Sequence, residues 1–332
     1  LINILSNMVD TLVKETTTVT KDVSGSLLIS AADGATLKGI RIGGDLILAP
    51  GVTKDVTLVD CVIQGNIRNY GTGEVRFEAP QITPESTATK PSDVYKPGTT
   101  LDRTLEYGGK TVPIYRDRPL NVFSDVDFIW TDEENENRRR LEYLGGEFRT
   151  RYGIDVSSFQ GEIDWDAVAD DNIDFAMVRV GFRGTGTGSL NTDKYYEQNI
   201  RGAMRAGLET GVYFFAQAVT VEEAIEEADY VISLLDGLDI NGPVAYDWEM
   251  HDSTYRVYGT SPEMATACAV AFCERIKDAG YTPMVYGGTY VTYMKYDQGA
   301  LADYLSWYPE YKSEKSEKLC PTLVYHMDYW QF

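Results

Sequence analysis

The sequence predicts an α/β protein in two parts: a C-terminal (β/α) barrel and a smaller β-rich domain before it. Three observations carry this. From Tyr152 onward, short apolar runs alternate with amphipathic helical stretches, the pattern of parallel strands joined by helices. Runs such as Phe175-Ala176-Met177-Val178 are apolar without alternation, as strands buried on both faces are. Before residue 80, the stretch Leu37–Leu48 aligns with Leu58–Asn69, with a third copy starting near Gly25, the kind of short repeat that builds stacked β-solenoid rungs.

In chain order, Leu1–Leu12 reads as a short helix or a frayed end, and 1–79 as the repeat domain, possibly a β-solenoid, with an ordinary small β-sandwich as the competing reading. Residues 80–106 read as a linker, with Pro80, Pro84, Pro91 and Pro97 among Ser, Thr and Lys. Residues 107–151 read as an irregular segment packing on the barrel, and the charged run Asp132–Arg140 within them as a solvated turn. In 152–332, strands are expected at Gly153–Ser157, Phe175–Gly181, Gly211–Gln217, Val244–Glu249, Pro283–Gly287, Tyr304–Tyr308 and Leu323–Gln331. Thr220-Val221-Glu222-Glu223 is a capping box that opens one helix. Ser261-Pro262 supplies a cap and a first-turn proline for another.

Composition excludes several functions. The chain has 332 residues, 43 % of them apolar, and a net charge of −21. No basic stripe is available to replace phosphate counterions, so nucleic acid is not an expected partner. No apolar run is long enough to span a membrane. The two histidines, His251 and His326, have neither zinc-site spacing nor a Gly-x-Ser-x-Gly partner, so no metal or cofactor is expected. The four cysteines show no Cys-x-x-Cys and read as small apolar residues. Gly184–Gly188 reads as a mobile loop and not a phosphate cradle. Catalysis falls to carboxylates.

Asp155 lies where the run Gly153-Ile154-Asp155-Val156 stops, and Asp247 and Glu249 lie where Val244-Ala245-Tyr246-Asp247-Trp248-Glu249 stops. In parallel barrels, active residues collect at these carboxyl ends. Residues two apart on a strand share a face, about 6.5–7 Å apart, so Asp247 and Glu249 project together while Trp248 points the other way into packing. Neighbouring carboxylates push one pKa up and the other down, the division of labour that glycosidic cleavage needs. Tyr213, Phe215, Tyr246, Tyr286, Trp307 and Trp330 are candidate sugar platforms; for each, core packing is the competing reading. Arg179 and Arg183 read first as structural ion pairs, and His251 as a loop residue beside the site.

Residues 152–332 resemble the glycoside hydrolase family 25 muramidases. The resemblance rests on Gly-Ile-Asp-Val-Ser-Ser-Phe-Gln-Gly at 153–161, Ile163-Asp164-Trp165, Gly211-Val212-Tyr213-Phe214-Phe215-Ala216, Asp247-Trp248-Glu249, Pro283-Met284-Val285-Tyr286 and Trp330-Gln331. It implies a flattened TIM-like (β/α) barrel and an extracellular or wall-associated enzyme acting on peptidoglycan glycan strands. The bond cut would be the β-1,4 bond between N-acetylmuramic acid and N-acetylglucosamine, with retention through the substrate's acetamido group. Glu249 would be the acid, Asp247 the acetamido partner and Asp155 an electrostatic support. The family continues past Trp-Gln to a last acidic strand, so a truncated barrel is expected here, and its third strand has Tyr-His-Phe where this chain has Tyr213-Phe214-Phe215. Two rivals remain: a chitinase-like glycosidase, disfavoured by Pro243, Val244 and Ala245 where further aspartates would stand, and a non-catalytic wall-binding or structural module.

Overall fold

The computed structural model describes residues 11–15, 17–59, 61–63, 66–78, 89–131, 140–146, 148–313 and 316–332. The readings of the first ten residues and of the run 132–139 fall outside them. The chain divides into two compact units, 1–87 and 88–332.

The first unit contains β1 (Thr11–Val13), β2 (Thr18–Val19), β3 (Leu27–Ile29), β4 (Ala35–Lys38), β5 (Arg41–Ile42), β6 (Leu46–Leu48), β7 (Val56–Val59), β8 (Val62–Ile63), β9 (Ile67–Asn69) and β10 (Val75–Glu78). All pair in parallel, as the ladders β1-β3-β6-β9, β10-β7-β4-β2 and β5-β8. Leu37 faces Leu58, Arg41 faces Val62 and Leu46 faces Ile67, the same pairs that the sequence repeat aligns. Leu27, Leu28, Ile29, Leu37, Leu46 and Leu48 fill the interior. Side chains at the bends clamp the next layer: Arg41 N donates to Asp22 (2.7 Å), Asn66 N to Asp45 (2.8 Å) and Glu74 N to Asp55 (3.0 Å). At Gly43 a Cβ would collide with the Ser24 carbonyl one layer away, so only glycine lets the layers approach.

The second unit begins within the stretch expected to be a linker. A short helix, α1 (Pro91–Val94), and a hairpin, β11 (Leu101–Tyr107) with β12 (Lys110–Tyr115), occur there. Gly108 and Gly109, with φ of 55° and 74°, make the tight hairpin turn. The prolines had suggested an extended chain, yet Val112 and Ile114 bury against Tyr293 and Tyr325 and order the segment. A second hairpin, β13 (Phe128–Trp130) with β14 (Leu141–Tyr143), follows.

The barrel region comprises β15 (Gly153–Val156), α2 (Trp165–Asp170), β16 (Phe175–Arg183), β17 (Leu190–Thr192), α3 (Tyr196–Arg205), β18 (Glu209–Ala216), α4 (Val221–Leu234), β19 (Val244–Trp248), α5 (Pro262–Asp278), β20 (Pro283–Tyr286), α6 (Thr289–Met294), β21 (Leu305–Pro309) and β22 (Tyr329–Gln331). These strands form an eight-stranded sheet, β15-β16-β18-β19-β20-β21-β22, with β17 antiparallel on β16 and every other pair parallel. The caps form where expected: the Thr220 side chain accepts from Glu223 N, and the Ser261 side chain from Met264 N.

Alternation divides the strands into two faces. Outward, Val178, Val180, Phe214, Tyr246 and Trp248 share one core with buried residues of the helices behind the sheet, among them Ile200 and Ala203 of α3, Ala224 and Val231 of α4, and Ala267 and Phe272 of α5. Each large side chain buried there contributes about 1.5–3 kcal/mol. Inward, Met177, Ala245, Met284, Tyr286 and Trp307 pack with Phe175, Tyr213 and Tyr329. The sheet curls until its two edges meet through side chains: Gln331 Nε2 of β22 donates to Asp155 Oδ2 of β15 at 2.9 Å, and the Tyr329 ring lies 5.2 Å from that of Phe175 at the start of β16. No backbone ladder joins β15 to β22 among the described residues.

The expected long strand Leu323–Gln331 is cut to Tyr329–Gln331. Residues before it turn instead to the connecting segment, where Asn121 N donates to Val324 O (2.7 Å) and His326 N to Pro119 O (2.9 Å). No described helix is long and apolar enough to cross a membrane.

Candidate active site

The inward face ends in a ring of acidic and aromatic side chains. Asp155 is the third residue of β15, Asp247 the fourth of β19, and Glu249 lies one residue past the end of β19. Asp247 is 7 % exposed, and its Oδ1 has no hydrogen-bond partner. Burial holds its pKa well above the usual carboxylate range, reinforced by the charges of Glu249 and Asp155 and opposed by Arg179. Of the two carboxylates expected on one face, Asp247 is the one pushed up.

Glu249 is fixed at two points. Its Oε2 lies 2.9 Å from His251 Nε2, and its backbone carbonyl accepts from Gln217 Nε2 at 2.8 Å. His251 thus sits directly on the candidate acid, a contact that the sequence placed only nearby. Asp155 is held across the strand gap by Gln331, whose Oε1 accepts from Tyr286 OH (3.2 Å) and Tyr311 OH (3.1 Å). Gln331 and Tyr311 escaped the sequence reading as site residues. Gln331 lies within the quoted Trp330-Gln331 motif, whereas nothing near Tyr311 marked it.

The six aromatic candidates separate by face. Tyr213, Phe215 and Tyr286 lie inward; Phe215 pairs in register with Asp247, and Tyr286 sits on the next strand. Burial raises the pKa of both tyrosines, and Asp247 is the next cause for each. Trp307 is also inward; like Tyr286 it is buried, and its ring lies 5.8 Å from that of Tyr213 and 5.1 Å from that of Tyr286. Tyr246 is not at the site. It has outward parity, is fully buried and stacks 4.8 Å from Phe272. Trp330 also turns away: its Nε1 donates to Glu310 O, and its ring packs on Phe128 and Phe332.

Arg179 projects to the inward face, where it pairs with Asp193 (2.8 Å) and reaches Ser158 Oγ (3.1 Å). The structural ion pair is present, and the same cation acts on Asp247. Arg183 lies on the outward side, buried against Glu227 (2.7 Å) and Glu226 (2.7 Å). Glu227 Oε1 also accepts from Gln217 N at 3.0 Å, so an ion pair behind the sheet holds the residue that holds Glu249. The glycine loop expected to be mobile is tethered: Arg183 Nη1 donates to Gly188 O (2.8 Å), and Arg256 N to Thr185 O (3.0 Å).

Carboxylates gathered at the carboxyl ends of a parallel α/β sheet suit acid/base hydrolysis. The model of glycosyl hydrolases family 25 matches residues 154–332, and the chain belongs to that family; the matched stretch is a glycoside hydrolase domain. An autolytic lysozyme of Clostridium acetobutylicum is 26 % identical over 164 residues, 49 % of this chain and 46 % of that one, so the chain spans about half the length of the curated relative it matches. Among solved structures, a family 25 glycosyl hydrolase from Bacillus anthracis is 22 % identical with a TM-score of 0.45, over 55 % of this chain and 79 % of its own. The bacterial lysozyme from Streptomyces coelicolor is 23 % identical with a TM-score of 0.43, over 55 % and 82 %.

Proposed function

We propose that the second unit is an N-acetylmuramidase that cuts the β-1,4 bond between N-acetylmuramic acid and N-acetylglucosamine in peptidoglycan, with retention through the substrate's acetamido group. The observation that carries this reading is Asp247: buried, without a partner at Oδ1 and raised in pKa beside Glu249. A carboxylate of raised proton affinity is a strong acceptor for the acetamido N–H as the acetamido oxygen attacks the anomeric carbon. Negative charge in that buried position then stabilises the cation that forms, with Asp155 adding to the field. Glu249 protonates the leaving oxygen and later takes a proton from the incoming water. Tyr213, Phe215 and Tyr286 present rings to the sugar faces. Direct attack by a carboxylate is the alternative retaining route.

Muropeptide analysis of a peptidoglycan digest, with the anomer followed by NMR from first turnover, tests both parts. New reducing ends at N-acetylmuramic acid in the β configuration support the proposal. Reducing N-acetylglucosamine ends overturn the bond, and α anomers at first turnover overturn retention.

The parallel ladders of the first unit support reading it as a short β-solenoid that serves as a spacer or wall anchor, in an extracellular or wall-associated protein. Removing residues 1–87 then leaves hydrolysis of soluble glycan fragments unchanged. Loss of that activity overturns the accessory role.

A further inference from the structure

Of the three acids, Asp247 is buried and Glu249 meets His251, but Asp155 is exposed and has no ion-pair partner among the described residues. Its strand, β15, is paired on one side only. What holds the Asp155 side chain is the amide of Gln331, from the opposite edge of the sheet. The other end of that amide sets its orientation. Gln331 Oε1 accepts from Tyr286 OH at 3.2 Å and from Tyr311 OH at 3.1 Å, a donor for each of its lone pairs. Both hydroxyls keep their protons near neutrality. Burial raises their pKa values, then the charges of Asp247 and Glu249 for Tyr286 and of Asp155 and Glu249 for Tyr311. Tyr286 also lies within hydrogen-bonding reach of Glu249, and when it turns its proton there, Tyr311 still fixes the amide. O–H donors at the oxygen end leave the N–H end for Asp155. Reversing the amide would set its oxygen against the carboxylate.

We propose that Gln331 is a positioning residue for the reaction. Its N–H gives the Asp155 carboxylate a donor and a fixed direction across a gap that no backbone ladder closes among the described residues. Tyr311 acts behind it by fixing the amide. The place requires a donor at one end of the side chain and an acceptor at the other. Methionine has neither, and a glutamate has no donor unless it is protonated. The inference rests on the muramidase reading, in which Asp155 adds its negative charge to the field around the forming cation. Gln331 acts through Asp155 and exchanges no proton itself.

The experiment measures kcat and KM on soluble glycan fragments for the full chain, Gln331→Met, Asp155→Asn, their combination, Gln331→Glu and Tyr311→Phe. Gln331→Met should lower kcat by about tenfold with KM little changed, as for a lost hydrogen bond to a charged group. Asp155→Asn should lower it further. The combined variant should fall no lower than Asp155→Asn alone, because Gln331 then has no carboxylate to place. Gln331→Glu keeps the shape and the acceptor end but sets a second carboxyl against Asp155, beside Tyr286 and Tyr311 and in the field of Asp247 and Glu249. Like charges raise the proton affinity of one partner, and protonation restores the donor, so activity relative to wild type should rise as pH falls from about 7 to about 5. A merely structural defect leaves that ratio flat. Should Gln331→Met not fold, Tyr311→Phe, at an exposed residue, decides: kcat should fall by about two- to threefold, and the fall should vanish in the Asp155→Asn background. Multiplying losses in the combined variant, indifference to Gln331→Met, or a flat ratio for Gln331→Glu each overturns the inference alone. A wild-type digest without reducing N-acetylmuramic acid ends overturns the muramidase reading, and the inference with it.

Discussion

Two carboxyl groups are buried on opposite faces of the same sheet, and they are treated differently. Glu227, on the outward side, is fully buried but meets Arg183 at 2.7 Å and the Gln217 N–H at 3.0 Å. Burial still pushes its pKa up to about 7, and the arginine limits the rise. Asp247, on the inward side, has Arg179 acting from a distance and two acids reinforcing its burial; each group has one oxygen without a partner, Glu227 Oε2 and Asp247 Oδ1, so the difference lies in the paired arginine. A packed core gains from pairing its charges. A site that must bind another molecule keeps a polar group waiting, and the unfavourable interaction is relieved only when substrate arrives. On this comparison Glu227 serves the architecture, and Asp247 fits the catalytic role proposed for it.

The largest test separates the two by activity. Glu249→Gln and Asp247→Asn should each lower kcat on peptidoglycan by about 10²–10⁴-fold, the range for an acid/base group. Asp247→Asn should leave the melting temperature equal or higher, because it removes a buried charge without a close partner. A loss below tenfold in folded protein rejects the assignment of that residue. A substrate lacking the 2-acetamido group should be inert, and its turnover would favour a carboxylate nucleophile over substrate assistance.

The reverse pattern is expected behind the sheet. Arg183→Met leaves Glu227 buried without its cation, a break that destabilises by about 3–5 kcal/mol. Chemical denaturation measures it, and a change under 1 kcal/mol means that the site relaxes or hydrates. The loss should shrink as pH is lowered, since the orphaned carboxyl can then take a proton. Next in size is Gln217→Leu, which cuts the tie to the Glu249 carbonyl. A lost buried hydrogen bond is worth about 1–3 kcal/mol, so kcat should fall by about tenfold with KM little changed. A fall in stability alone, with kcat intact, would make Gln217 merely structural.

Much of this arrangement is legible in the sequence because alternation is strict. Once Asp247 is placed on a strand, Glu249 must share its face and Trp248 must oppose it, and Trp248 is indeed fully buried outward. The same rule turns Tyr246 away from the site: it is one residue from Asp247, so it cannot share that face. Trp330 fails similarly beside Gln331. What the sequence could not show is contact between distant segments. Gln331 meets Asp155 only because the sheet curls, and Glu227 meets Gln217 only because α4 packs behind β18. The linker reading does not hold for the helix and strand at 91–94 and 101–106, because proline content reports local stiffness, whereas Leu105 packs in a core with Tyr293 and Tyr325, more than a hundred residues away.

The subtlest effect to resolve is the slope of stability against pH, and it tests both carboxyl groups at once. Each has a folded pKa above its unfolded value. The folded protein therefore binds more protons than the unfolded chain between those two values, and stability falls as pH rises through the window. For Glu227 the window runs from the ordinary value of 4.5 to about 7; for Asp247 it opens at 3.8 and extends upward. Below both lower limits each carboxyl is protonated in both states, and the destabilisation is absent. One group can contribute at most about 1.4 kcal/mol per pH unit. Unfolding free energies measured from pH 4 to 8 should therefore carry a downward contribution that Asp247→Asn removes in part and that Arg183→Met steepens near neutrality. If Asp247→Asn leaves the slope unchanged, Asp247 has an ordinary proton affinity in the folded protein. The contrast between the two faces would then rest on packing alone.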